Sequence, residues 1–163
     1  MEESEKQDVK EKIEFNLYDT YIAAIKNSVG TEMFSEMYLN IDGEVKEVSE
    51  NGRWACATYV SSVLTMFNLL KERHATMEGL MRGMNESGWY EISEPRDGAI
   101  IWWDVTPESE GHEHAGFYVG DNKAISNSWL KKVPVVHNWR SGTTDGEPSR
   151  PVKSIWWHDK LNN

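Results

Sequence analysis

The chain carries a single cysteine, Cys56, and five histidines, His74, His112, His114, His137 and His158. One thiol cannot close an internal disulfide, and beside histidines it is a candidate nucleophile. The plain alternative is a packed core residue, because free cysteine is among the most buried side chains. The neighbours favour chemistry. Asn51, Gly52 and Arg53 give a loop signal, after which Val60, Val63, Leu64, Phe67 and Leu70 share one helical face. Cys56 therefore falls at a helix N-terminus, where the dipole and unpaired amides favour a thiolate. This predicts a thiol pKa below that of a free cysteine. The same amides suit the oxyanion of a tetrahedral intermediate.

A base must come from elsewhere. His114 opens the run Ala115 Gly116 Phe117 Tyr118 Val119 Gly120, which reads as a strand, and Asp121 Asn122 then turns the chain into a return strand. Packed across the cysteine helix, that strand brings an imidazole to the thiol. If Asp121 and Asn122 form a two-residue turn, simple pairing puts Asn127 opposite Gly116, on the His114 face, and Ser126 on the other. Asn127 is thus read as the residue that orients His114 and fixes its tautomer. Its alternative is a turn-adjacent side chain that satisfies backbone groups. His137 is the next candidate for the orienting role. His74, at an interhelical junction, and His158, near the last strand's end, are read as structural. His112 and His114 alternate and could share a strand face as metal ligands, but the further ligands of a site are not evident. Neither metal nor cofactor is called for.

The elements that must position these groups follow from periodicity. Ile13 to Ile25 repeats apolar residues at helical spacing, a short helical turn is read at Met33 to Tyr38, and Gly43 pivots a small hairpin. Met77, Leu80, Met81 and Met84 form one face of a further helix, read as core packing, which stops at Ser87 Gly88. Beyond it come about six strands: 89–92, 99–105, 113–119, 123–127, 133–139 and 151–158. Trp102 Trp103 and Trp156 Trp157 predict one outward-facing tryptophan per pair. Helices first and a meander second is α+β.

Cys56 Ala57 Thr58 Tyr59 Val60, joined later by His114-x-Gly-Phe-Tyr-Val-Gly-Asp-Asn and led into by Glu94 Pro95 Arg96 Asp97 Gly98 and an apolar strand, resembles the NlpC-type peptidases and amidases of the papain-like superfamily and their CHAP relatives. The resemblance spans residues 51–130. It implies an α+β papain-like fold, with N-terminal helices and the cysteine-bearing helix packed on an antiparallel, partly barrelled sheet. It also implies a Cys-His-polar triad that cleaves an amide or peptide bond through an acyl-enzyme, with peptide or peptidoglycan fragments as substrate. The family's third residue falls at Ser126 instead of a histidine. Ala55 stands where the family often carries an aspartate, so no residue at that position would recognise a substrate amine. A catalytically silent peptide-binding module and a thiol acyltransferase are the rival functions.

With 163 residues and 39% hydrophobic content, the chain is expected to form one domain, 1–163, with 1–12 as a frayed lead-in and 13–50 as a helical extension. The net charge of -10 is concentrated in the first fifty residues, and no basic footprint for nucleic acid exists. No apolar run suits a membrane span and no secretory signal is present, so a cytoplasmic location is the default expectation.

Overall fold

A computed structural model describes residues 10–144 and 146–163. The expected frayed lead-in lies mostly outside them. Helix α1 runs Leu17–Asn27, later than the apolar repeat suggests, because the Asn16 side chain accepts from the Asp19 amide (3.0 Å) and caps it there. Ile13 and Phe15 are left exposed ahead of that cap. The segment after α1 is not helical throughout: strands β1 (Tyr38–Ile41) and β2 (Glu44–Glu47) pair as a hairpin around Asp42 and Gly43. Of the short helical turn expected at Met33 to Tyr38, a single turn forms, with the Ser35 amide donating to the Glu32 carbonyl (3.1 Å), before the chain extends into β1.

Two further helices follow, α2 (Cys56–Met66) and α3 (Met77–Glu86). α2 is buried from Ala57 to Leu64, as small Ala, Ser and Thr positions let the main sheet approach it. That sheet has six strands: β3 (Tyr90–Ile92), β4 (Ile100–Trp103), β5 (His114–Gly120), β6 (Lys123–Asn127), β7 (Pro134–Asn138) and β8 (Val152–Trp157), all paired antiparallel in the order β3-β8-β4-β5-β6-β7. The architecture is α+β. The sheet is open, with β3 and β7 as its edges, so the expected barrelling does not reach closure. Among the described residues no helix is long and apolar enough to cross a membrane.

α2 packs on β5 and β6. Tyr21, Tyr59, Phe67 and Phe117 meet edge-on where α1, α2 and the sheet converge, with ring centroids 5.4–6.0 Å apart. The Tyr21 hydroxyl donates to the Gly98 carbonyl (2.8 Å), which ties α1 to the turn before β4. Trp102 and Trp103 are both fully buried, against the expectation that one would face outward. They point to opposite faces of β4, but both faces are covered there, and each indole N–H has a partner, Glu113 Oε2 for Trp102 and the Trp139 carbonyl for Trp103. In the other pair Trp157 is buried and Trp156 only half-buried.

Candidate active site

Cys56 is the first residue of α2. Ala55 precedes it as the N-cap and brings no side-chain hydrogen bond, so the first-turn amides are not consumed by a cap. His114 is the first residue of β5 and is buried. Both side chains open onto one cleft of about 1190 Å³, which Asn127 and Arg150 also line. Its apolar wall comes from the β1–β2 hairpin and α3, through Leu39, Ile41, Val48, Met77 and Met81. The methionine face of α3 therefore divides: Met84 is core, while Met77 and Met81, partly buried against that core, also border the cleft. Met77 Sδ lies 3.6 Å from Cys56 Sγ.

The pairing of β5 with β6 differs from the simple hairpin count. Asp121 and Asn122 do form a two-residue turn, with φ of 51° and 57°, and Gly120 does pair with Lys123. The next pair is Tyr118 with Ala124, so Val119 is an extra, bulged residue, and every later partner slips by one. Ser126, not Asn127, stands opposite Gly116 and shares the His114 face. Gly116 is needed there, because a Cβ on it would come within 2.6 Å of both the Ile125 carbonyl and Ser126 Cβ.

Asn127 accordingly does not touch His114. Its side-chain amide donates to the Gly52 carbonyl (2.7 Å) and ties β6 to the loop that leads into Cys56. Gly52 is itself wedged against Lys132, with φ of +92°. Ser126 takes the place expected for Asn127, with Oγ 2.8 Å from His114 Nε2 and 2.6 Å from His137 Nε2. His137 Nδ1 is 2.9 Å from the Asn138 carbonyl.

These contacts fix the protons. A carbonyl can only accept, so His137 Nδ1 carries hydrogen. Burial pushes His137 below its ordinary 6.5, so its ring is neutral and Nε2 must accept. The Ser126 hydroxyl donates to that nitrogen and accepts from His114 Nε2–H. His114 Nδ1 is then left with a free lone pair, the atom that can take a proton. Burial first, then the charge of Arg150 and the proximity of His137, hold His114 well below 6.5, so it too is neutral. Trp103 shields the row, its ring centroid 5.4 Å from each histidine.

Cys56 departs from expectation. It keeps some accessible surface, but burial pushes its thiol above the ordinary 9.0. The Ala57, Cys56 and Ala115 amides and the Arg150 charge pull the other way without overcoming that cost. The resting pair is thus a neutral thiol and a neutral imidazole, and the thiolate forms only as its proton leaves.

The remaining histidines take no part in that row. His112 stacks on Trp54 at 4.3 Å, apart from the His114 row. His74 lies between α2 and α3, where its amide donates to Ser61 Oγ (2.9 Å). His158 lies 2.7 Å from the Ser87 carbonyl through Nε2. Among the described residues no cluster of three or more His, Cys, Asp or Glu could hold a metal.

Compared with known proteins, the chain matches no protein-family model and no curated protein. The site is therefore read from its own geometry. Sequence reasoning missed Arg150, which reaches the cleft from the end of the 139–151 loop, far in sequence from both Cys56 and His114.

Proposed function

We propose that the protein is a cysteine hydrolase of amide or peptide bonds, with the papain-like arrangement of the NlpC and CHAP enzymes. The observation that carries this reading is the hydrogen-bonded row His114–Ser126–His137–Asn138, which leaves the proton-accepting lone pair on Nδ1 of a histidine that lines the same cleft as Cys56. A core cysteine and a structural histidine require no such row.

In this mechanism Cys56 Sγ attacks the carbonyl carbon while its proton passes to His114 Nδ1. The Ala57, Cys56 and Ala115 amides, which favour a charged sulfur against the cost of burial, support stabilisation of the negative charge as it develops. Collapse of the tetrahedral species expels the amine, which takes the proton from His114, and leaves a thioester on Cys56. Water, activated by the same nitrogen, then releases the acid. Ser126 and His137 act as positioning residues that keep the lone pair on Nδ1. The apolar wall of the cleft supports a second reading, an acyltransferase in which an amine or lipid replaces water at the last step.

The test is to incubate the protein with peptidoglycan stem fragments, γ-linked peptides and a panel of reactive acyl compounds, and to look for adducts by intact-protein mass spectrometry. A thioester on Cys56, absent in Cys56→Ala, is expected. A wild-type protein that forms no adduct but binds peptides as well as Cys56→Ala does is a binding module instead.

A further inference from the structure

Arg150 is only 7% exposed, yet its charge has no carboxylate within salt-bridge distance among the described residues. Its Nη1 donates to the His112 carbonyl (2.7 Å), which accounts for one corner of the guanidinium. The rest of the group is not balanced. Glu147, whose charge also reaches it, spends one carboxylate oxygen on the Ser128 hydroxyl and the Leu130 amide. Burying an unpaired guanidinium costs several kcal/mol unless something else compensates, so an unpaired one in a cleft marks a place for an anion. Arg150 lines the same cleft as Cys56 and His114 and lies close enough to influence both their pKa values.

We infer that Arg150 is a substrate-recognition residue that binds a carboxylate carried by the substrate next to the bond Cys56 attacks. This rests on the reading of Cys56 as nucleophile and adds the class of compound: amides or peptides with a free carboxylate adjoining the scissile carbonyl. The ligand is a carboxylate instead of a phosphate because Arg150 is the one buried cation among the described residues of the cleft lining. Arg53, also in the lining, is paired with Glu50 at 3.7 Å and held over the rings of Trp54 and Trp129, and Arg82 is exposed to solvent. A dianion would face one buried guanidinium, Glu78, Glu86 and Glu113 in the same lining, and a chain of net charge -10. A planar guanidinium fork matches one carboxylate.

Alkylation of Cys56 tests this without a known substrate. Iodoacetate and iodoacetamide form the same S–C bond with loss of iodide, but only iodoacetate carries a carboxylate. The ratio of their rates on Cys56, normalised to the ratio for a free small thiol, is expected to exceed one by about tenfold, the worth of one charge-assisted hydrogen bond. In Arg150→Gln the ratio should fall to that of the free thiol, and Arg150→Lys should retain part of it. If Arg150 serves only to stabilise the thiolate, both reagents slow equally and the ratio stays put, which overturns the proposal.

Should Arg150→Gln fail to fold, judged by circular dichroism, the wild-type protein decides alone. 3-Phenylpropionate should then protect Cys56 from iodoacetamide saturably, while 3-phenylpropionamide should not. Equal protection by both, or none by either, overturns the carboxylate site. Failure of the hydrolase reading looks different: Cys56 is labelled with the expected selectivity, yet no acyl-enzyme forms on any amide.

Discussion

On the sheet side of the cleft the histidine row is held atom by atom, with His114 Nε2, Ser126 Oγ and both nitrogens of His137 partnered and the indole of Trp103 packed beside them. On the helix side, the side-chain contact to Cys56 Sγ is the soft thioether of Met77 at 3.6 Å. The contrast separates two tasks. A base must present one nitrogen in one protonation state, which demands a rigid and dry setting. A nucleophile must reach a carbonyl carbon, and a loosely contacted thiol in a partly exposed position can do so. Charging either group in the resting state costs desolvation, and neither is charged.

The largest break in this comparison is His114→Ala, which removes the proton acceptor from the rigid side. Formation of the thioester should slow by about 10³- to 10⁴-fold, and overall turnover should fall nearly as far as in Cys56→Ala, because nucleophile and base act as one unit. Single-turnover acylation checks this, and a loss under tenfold would remove His114 from the role of base.

The pH dependence of labelling comes next. With the thiol above 9.0 and the imidazole neutral, no thiolate–imidazolium pair exists at neutral pH. The thiolate fraction, and with it the iodoacetamide rate on Cys56, should rise by about tenfold per pH unit from pH 6 towards pH 9. A preformed ion pair would give a rate that is flat over that range. A plateau in the labelling profile would show that the amides of Ala57 and Ala115 and the charge of Arg150 outweigh burial.

Much of this could be read from the residues. Apolar spacing placed α2, α3 and the six strands of the main sheet, because each of those segments except the edge strand β3 buries side chains in the core. The register between β5 and β6 could not be read, since a bulge at Val119 adds one residue without changing the turn, and that slip exchanges the faces of Ser126 and Asn127. Gly43 marked a small turn or hairpin, which the structure shows to be the β1–β2 hairpin, but its contribution to the cleft was not legible, because Leu39, Ile41 and Val48 gain meaning only from what lies across from them. Arg150 is the extreme case. Nothing near it in sequence signals a site, and its role follows from burial beside residues about forty and ninety positions away in the chain.

Ser126→Ala is the intermediate test on the rigid side. It removes the link between two buried imidazoles and leaves His114 free to place its proton on either nitrogen, so acylation should slow by about tenfold to a hundredfold. A merely structural serine would not alter the tautomer, so the discriminating readout is the imidazole nitrogen shifts of His114. The Nε2–H form should dominate in wild type and give way to a mixture in the variant.

Asn127→Ala carries the smallest effect on chemistry and separates two adjacent residues that a one-residue slip would interchange. The substitution deletes the bond to the Gly52 carbonyl and leaves that acceptor unpaired where Gly52 and Asn127 are both buried. A cost of about 1–3 kcal/mol in urea denaturation is expected. The row from His114 to Asn138 is untouched, so the His114 nitrogen shifts should match wild type and acylation should stay within about threefold. That residual change would reflect a looser loop from Gly52 to Ala55 and a less defined start to α2. Should Asn127→Ala instead cost more activity than Ser126→Ala and disturb the His114 tautomer, then Asn127 orients the base after all, and β6 must pair with β5 without the bulge at Val119.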